Sequence, residues 1–147
     1  MDLEASIKRS AEALAEAQYV TGLVGAGMSA ESGIPTFRGE GGLWTKYGEP
    51  SMNEYQKLVN DPKTWWEERV SGTNNRMPGM RESLREARPN PGHEALAELE
   101  QLGVLKYIVT QNVDNLHRAA GQVNVAEIHG NWTLMRCIQC HTRFPQD

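Results

Sequence analysis

The stretch from Gly25 to Gly39, GAGMSAESGIPTFRG, constrains this chain more than any other. It opens with Gly25-x-Gly27-x-x-Ala30, directly behind an apolar run from Tyr19 to Val24. Strand, tight glycine turn and helix start, in that order, are what a dinucleotide-binding turn needs, and a glycine-rich turn with no ligand is the alternative this pattern leaves open. Gly25 permits the turn, Gly27 removes a side chain where a pyrophosphate must approach, and small Ala30 lets a helix pack close to the strand. Backbone N–H groups at a positive helix end can hold phosphate oxygens. Ser32-Gly33-Ile34-Pro35 then interrupts any helix, because Gly and Pro are poor interior residues. An ordinary dehydrogenase would carry an acid on a second strand about 20 residues after the glycines. Here that region reads Lys46-Tyr47-Gly48-Glu49-Pro50, with Glu49 the one acid and no strand pattern.

The rest of the chain alternates helix and strand signals. Leu3, Ile7, Ala11 and Leu14 recur at helical spacing and predict a helix over residues 2–18. Tyr19 to Val24 reads as a buried parallel strand, and 25–42 as a long loop with at most one helical turn. Ser51 to Asn60, a segment opened by Asp61-Pro62, and Arg81 to Ala87 read as helices around a polar loop, 71–79. Asn90-Pro91 caps a helix that runs to Leu102, and Gly103 ends it. Lys106 to Thr110 and Val123 to Ile128 are further strands, and Leu134 to Arg136 leads into Cys137-x-x-Cys140. The fold class is α/β: a Rossmann-like parallel sheet over 1–44 and 88–131, a helical insertion over 45–87, and the start of a metal module over 132–147.

Candidate chemistry lies at the ends of the strands. Arg38 pairs a phosphate or stays a surface cation, and Phe37 shields a reacting centre or packs in the core. Gln111, Asn112 and Asp114 follow a strand, where α/β folds place ligands, yet Asn and Asp also favour turns for local reasons. His129 follows the third strand, where a neutral imidazole can accept a proton near neutral pH or serve a structural role, as a lone histidine more often does. Cys137 and Cys140 have the spacing of a zinc knuckle, of a redox pair or of two free thiols.

Three strings in order carry a family resemblance: the Gly25–Gly39 stretch, Thr110-Gln111-Asn112-Val113-Asp114-Asn115-Leu116-His117, and Ile128-His129-Gly130-Asn131 followed by the cysteine pair. The chain resembles the N-terminal portion of the sirtuins, NAD-dependent protein-lysine deacylases. The resemblance implies NAD contacts at Gly25, Ala26, Gly27, Ser29, Ala30, Thr36, Phe37, Arg38, Gln111 and Asn112, with Asp114 on the nicotinamide carboxamide. Position 36 is Thr here, where many members have Asp. It implies His129 as general base toward a ribose hydroxyl, structural zinc on Cys137 and Cys140, and an acyl-lysine protein or peptide as substrate. Sirtuins that take succinyl chains carry a Tyr and, three residues on, an Arg. Ser71 and Asn74 align there, which favours acetyl or another neutral acyl group.

Composition narrows the partners. A net charge of -4 and 39% apolar residues suit a soluble globular chain, with no electrostatic case for nucleic acid, no membrane span and no secretory signal. This points to the cytoplasm. A zinc ribbon wants a second Cys pair about 15 to 20 residues after the first, and none follows Cys140. The expectation is therefore the N-terminal part of a longer deacetylase, inactive alone. The competing expectation is a non-catalytic remnant that binds a nucleotide or a partner.

Overall fold

A computed structural model describes residues 2–49, 53–73 and 77–146. The Asp2 carboxylate accepts from the Glu4 amide at 3.1 Å and caps helix α1, Leu3–Glu16. The apolar stripe forms as its spacing predicts, but none of it is buried among the described residues: Leu3 is 74% exposed and Ile7 60%, with Leu14 half-buried.

The main sheet has three parallel strands: β1 (Val20–Val24), β2 (Leu105–Thr110) and β3 (Val125–Glu127), with β2 in the centre. The connection from β1 to β2 carries five α-helices among the described residues: α2 (Leu43–Tyr47), α3 (Glu54–Asn60), α4 (Pro62–Ser71), α5 (Met80–Glu86) and α6 (Pro91–Gln101). Short α7 (Leu116–Ala119) lies between β2 and β3. A separate antiparallel pair, β4 (Leu134–Arg136) and β5 (Arg143–Pro145), holds the cysteines in its turn.

The core sits on one face of the sheet. Leu105, Ile108 and Val125 are buried there, with Val20, Val24 and the α6 residues Leu96 and Leu99 packed against them. A second cluster, Ile34, Ala87 and Leu116, joins the loop after the glycine turn to α5 and α7, with Met80 and Leu84 beside it. The other face of β1 is open, with Leu23 84% exposed, so the expectation of a buried strand holds on one side only.

Two local readings change. The segment Ala26–Ser32 is a seven-residue 3-10 helix, more than the single turn expected of a loop. Gly33 ends it at φ 84, where only glycine is unstrained, and its amide donates back to the Ala30 and Ser29 carbonyls. β3 spans three residues rather than six. The proposed cap at Ser51 lies outside the described residues, and α3 begins behind Asn53.

Candidate functional site

The glycine turn follows β1 and is pinned from beneath. Ile34 donates its amide to the Ser29 carbonyl at 3.3 Å, and its side chain is buried in the second cluster. A Cβ on Gly27 would meet nothing within 4 Å, so open space lies over the turn. A Cβ on Gly25 would lie 2.5 Å from Nε2 of Gln111, so these two positions compete for one volume. The turn thus offers the close backbone approach a pyrophosphate needs.

A chain of hydrogen bonds ties this turn to the loop after β2. The Asn112 side chain donates Nδ2 to the Gly25 carbonyl at 2.9 Å and to Ser29 Oγ at 3.1 Å. Ser29 Oγ donates to Asp114 Oδ2 at 2.6 Å, and the Leu116 amide donates to Asp114 Oδ1 at 2.9 Å. Ser29, Asn112 and Asp114 are all buried. The carboxylate is thereby held at the N-terminal end of α7. Gln111 stays exposed, and its amide donates to the Val24 carbonyl at 3.2 Å, continuing the β1–β2 ladder.

Asn90 performs two tasks. Its Oδ1 accepts from the Gly92 and His93 amides and caps α6, as its place before Pro91 predicts. Its Nδ2 donates to the Met28 carbonyl at 2.8 Å and to Ser32 Oγ at 3.0 Å, holding the glycine turn from the side. The sequence signal at Asn90 is purely local, so this second role is not legible there. His93 is fully buried, and its Nδ1 accepts from the Asn90 amide at 3.3 Å. Its ring meets that of buried His117 edge-on at 4.9 Å. Burial pushes both imidazoles below the usual 6.5, each partly offset by the Asp114 charge. Among the described residues, neither His93 Nε2 nor His117 Nε2 has a hydrogen-bond partner.

His129 stands just past β3. Its Nδ1 lies 3.1 Å from the Gln111 carbonyl oxygen, so Gln111 joins β1, the glycine turn and the histidine. Asn131 fixes the turn that follows. Its Nδ2 donates to Asn115 Oδ1 at 2.8 Å and to Glu127 Oε1 at 2.6 Å, and its Oδ1 accepts from Thr133. Arg118 pairs with the same Glu127 oxygen at 3.3 Å. His129, Gly130 and Asn131 line a cavity of about 360 Å³ with Leu134, Arg136 and Arg143. A cleft of about 440 Å³ between α3 and α4 holds none of the candidate residues.

The remaining candidates lie apart from this cluster. Thr36 Oγ1 donates to the Arg38 carbonyl at 3.0 Å, and Phe37 packs on Trp44 with centroids 5.2 Å apart. The Arg38 guanidinium lies 4.5 Å over the Trp44 ring and pairs with Glu49 at 3.4 Å. Both partners are exposed, so the pair contributes little to stability. Among the described residues, no hydrogen bond joins 36–38 to the Ser29 cluster. In the β4–β5 turn, the Cys137 amide donates to the Thr142 carbonyl at 2.9 Å. Cys140 is pulled down to about 7 by hydrogen bonding with the Thr142 side chain and backbone. Among the described residues no three His, Cys, Asp or Glu stand together to hold a metal, so Cys137 and Cys140 do not complete a tetrahedral site there. No helix among the described residues is long and apolar enough to cross a membrane.

A glycine turn, a polar loop and a histidine stand at the C-terminal ends of three parallel strands, where α/β folds place their ligands. Residues 25–147 match the Sir2 family model, and the chain belongs to that family. An NAD-dependent protein deacetylase of Caldivirga maquilingensis is 45% identical over 141 residues, covering 94% of this chain and 50% of the relative. A Sir2 homologue solved in complex with NAD superposes with TM-score 0.69 at 44% identity, over 94% of this chain and 51% of the other. A Sir2 variant solved with deacetylated p53 peptide and 3'-O-acetyl ADP-ribose superposes with TM-score 0.71 at 32% identity, over 95% and 53%. The chain spans about half the length of the relatives it matches.

Proposed function

We propose that this chain carries the phosphate turn and the general base of an NAD-dependent protein-lysine deacylase acting on acetyl or another neutral acyl group. The single observation that carries the reading is Gln111. Its amide closes the β1–β2 ladder, its side chain abuts Gly25, and its carbonyl faces His129 Nδ1 at 3.1 Å. A protonated Nδ1 donating to that carbonyl leaves Nε2 with a lone pair, the form a base requires. The names of relatives and the NAD-bound homologue support the cofactor, and the peptide-bound variant supports a protein substrate.

The residues present fit a dinucleotide: the turn is open above Gly27, and its backbone is held by Asn112 and Asn90. Bound NAD supplies the ribose carbon that receives the acyl oxygen, with nicotinamide leaving. Backbone amides of Ala26 and Gly27, at the start of the 3-10 helix, would hold the pyrophosphate, and small Ala30 lets that helix pack close to β1. Ser29 and Asn112 keep the turn fixed to β2. Asp114 carries one hydrogen bond on each oxygen, so lone pairs remain for a carboxamide N–H. Gln111 would face the ribose, and by family resemblance Thr36, Phe37 and Arg38 would shield it from water. His129 Nε2 takes the proton from a ribose hydroxyl. Structural zinc on Cys137 and Cys140 requires two further ligands from outside the described residues. The test is nicotinamide release by the chain complemented with the C-terminal half of a relative, release that requires both NAD and an acetyl-lysine peptide. Removal of the base by His129→Ala lowers turnover about 100- to 10,000-fold while NAD affinity stays near wild type. Unchanged turnover in that variant removes His129 from the role.

A further inference from the structure

The cavity beside His129 has a second wall that the chemistry above does not use. β4 and β5 pair antiparallel, and in their register Arg136 stands directly opposite Arg143. Directly opposed residues share one face of a pair, and like charges there are destabilising. Both arginines line the cavity that holds His129. Both are exposed, and among the described residues neither forms an ion pair. The one carboxylate lining the same cavity is Glu127, and it is already engaged by Arg118 and Asn131. Leu134, on the same strand face as Arg136, adds an apolar flank. Two guanidiniums thus line one space, and among the described residues its single carboxylate is already committed to Arg118 and Asn131.

We propose that Arg136 and Arg143 form a carboxylate-binding subsite that selects peptide substrates with an acidic side chain close to the acyl-lysine. This rests on the deacylase reading for the identity of the peptide. Guanidinium forks match a carboxylate in geometry and charge. They line the same cavity as His129, which puts the acid near the reacting lysine. The opposed charges are relieved only when the acid is seated, so the subsite adds discrimination between peptides rather than stability to the hairpin.

The test uses the 147-residue chain and fluorescein-labelled acetyl-lysine peptides that differ only in Glu or Gln on both sides of the lysine. Fluorescence anisotropy at low salt reads their affinities. The Glu peptide binds about three- to tenfold more tightly than the Gln peptide, and the difference shrinks as salt rises. Arg136→Gln or Arg143→Gln each reduces the preference, and Arg143→Glu turns it toward a Lys-flanked peptide. That inverted preference is a gain which an unfolded variant cannot produce. Equal affinities for the Glu and Gln peptides, or no binding of either, overturn the proposal. So does a neutral-flanked succinyl-lysine peptide that alone shows the arginine dependence, because the anion is then the acyl chain. Loss of NAD affinity in the arginine variants also overturns it, since the pair then serves the nucleotide. A retained Glu preference with no difference between acetylated and unmodified lysine leaves the subsite standing and defeats the deacylase reading instead.

Discussion

At the residue scale, the central device is the buried link Gly25–Asn112–Ser29–Asp114–Leu116. The motif positions are legible in the sequence, but this wiring is not. Ser29 and Asp114 are 85 residues apart, and turn chemistry alone explains an Asn or Asp after a strand. Ser29→Ala removes a donor from a buried carboxylate and a partner from Asn112. It should cost about 1–3 kcal/mol of stability, read as a lower midpoint in urea. A midpoint equal to wild type would show that the link carries no load. Gly25→Ala should act differently. The added Cβ meets the far end of a flexible Gln111 side chain, so the fold tolerates it while Gln111 is displaced. NAD affinity should fall, measured calorimetrically, with the melting temperature nearly unchanged.

At the scale of elements, the capping of α6 is coupled to a titration. Neutral His93 accepts the Asn90 amide on Nδ1, and protonation there would set a donor against a donor. Its ring also faces His117, so two charges would be buried 4.9 Å apart. Both imidazoles sit below their ordinary value in the folded chain. A group whose folded pKa is depressed binds protons more readily when unfolded. Its contribution is therefore complete above 6.5 and is lost as pH falls from there toward the lower folded values. Thermal melts should show the midpoint falling below about pH 6.5, and His93→Asn should flatten that slope. A midpoint independent of pH between neutral and mildly acidic buffer contradicts this. Elements themselves were largely legible where capping or periodicity is strong. Asn90-Pro91 and Asp61-Pro62 cap the helices they predict. The 3-10 helix was not, because Gly33 and Pro35 read as breakers while Ile34 and Gly33 hold the turns by distant or backbone contacts. The α1 stripe has helical spacing, and spacing says nothing of what covers it.

At the scale of the whole molecule, the open face of β1 and the cysteine turn both present groups without a counterpart among the described residues. Leu23, Tyr19 and Val123 are strongly exposed, and Cys137 and Cys140 offer two sulfur donors where structural zinc takes four ligands. The relatives are about twice as long as the part this chain matches. The account therefore expects weak NAD affinity and no turnover from the 147 residues alone, with activity appearing when the C-terminal half of a relative is supplied. The most direct measurement is nicotinamide release by this chain mixed with the C-terminal half of the Caldivirga maquilingensis deacetylase. The account predicts release that needs NAD, acetyl-lysine peptide and zinc together and that disappears with His129→Ala. Release without the peptide, release undiminished by His129→Ala, or no release from a mixture that binds NAD and zinc would contradict it.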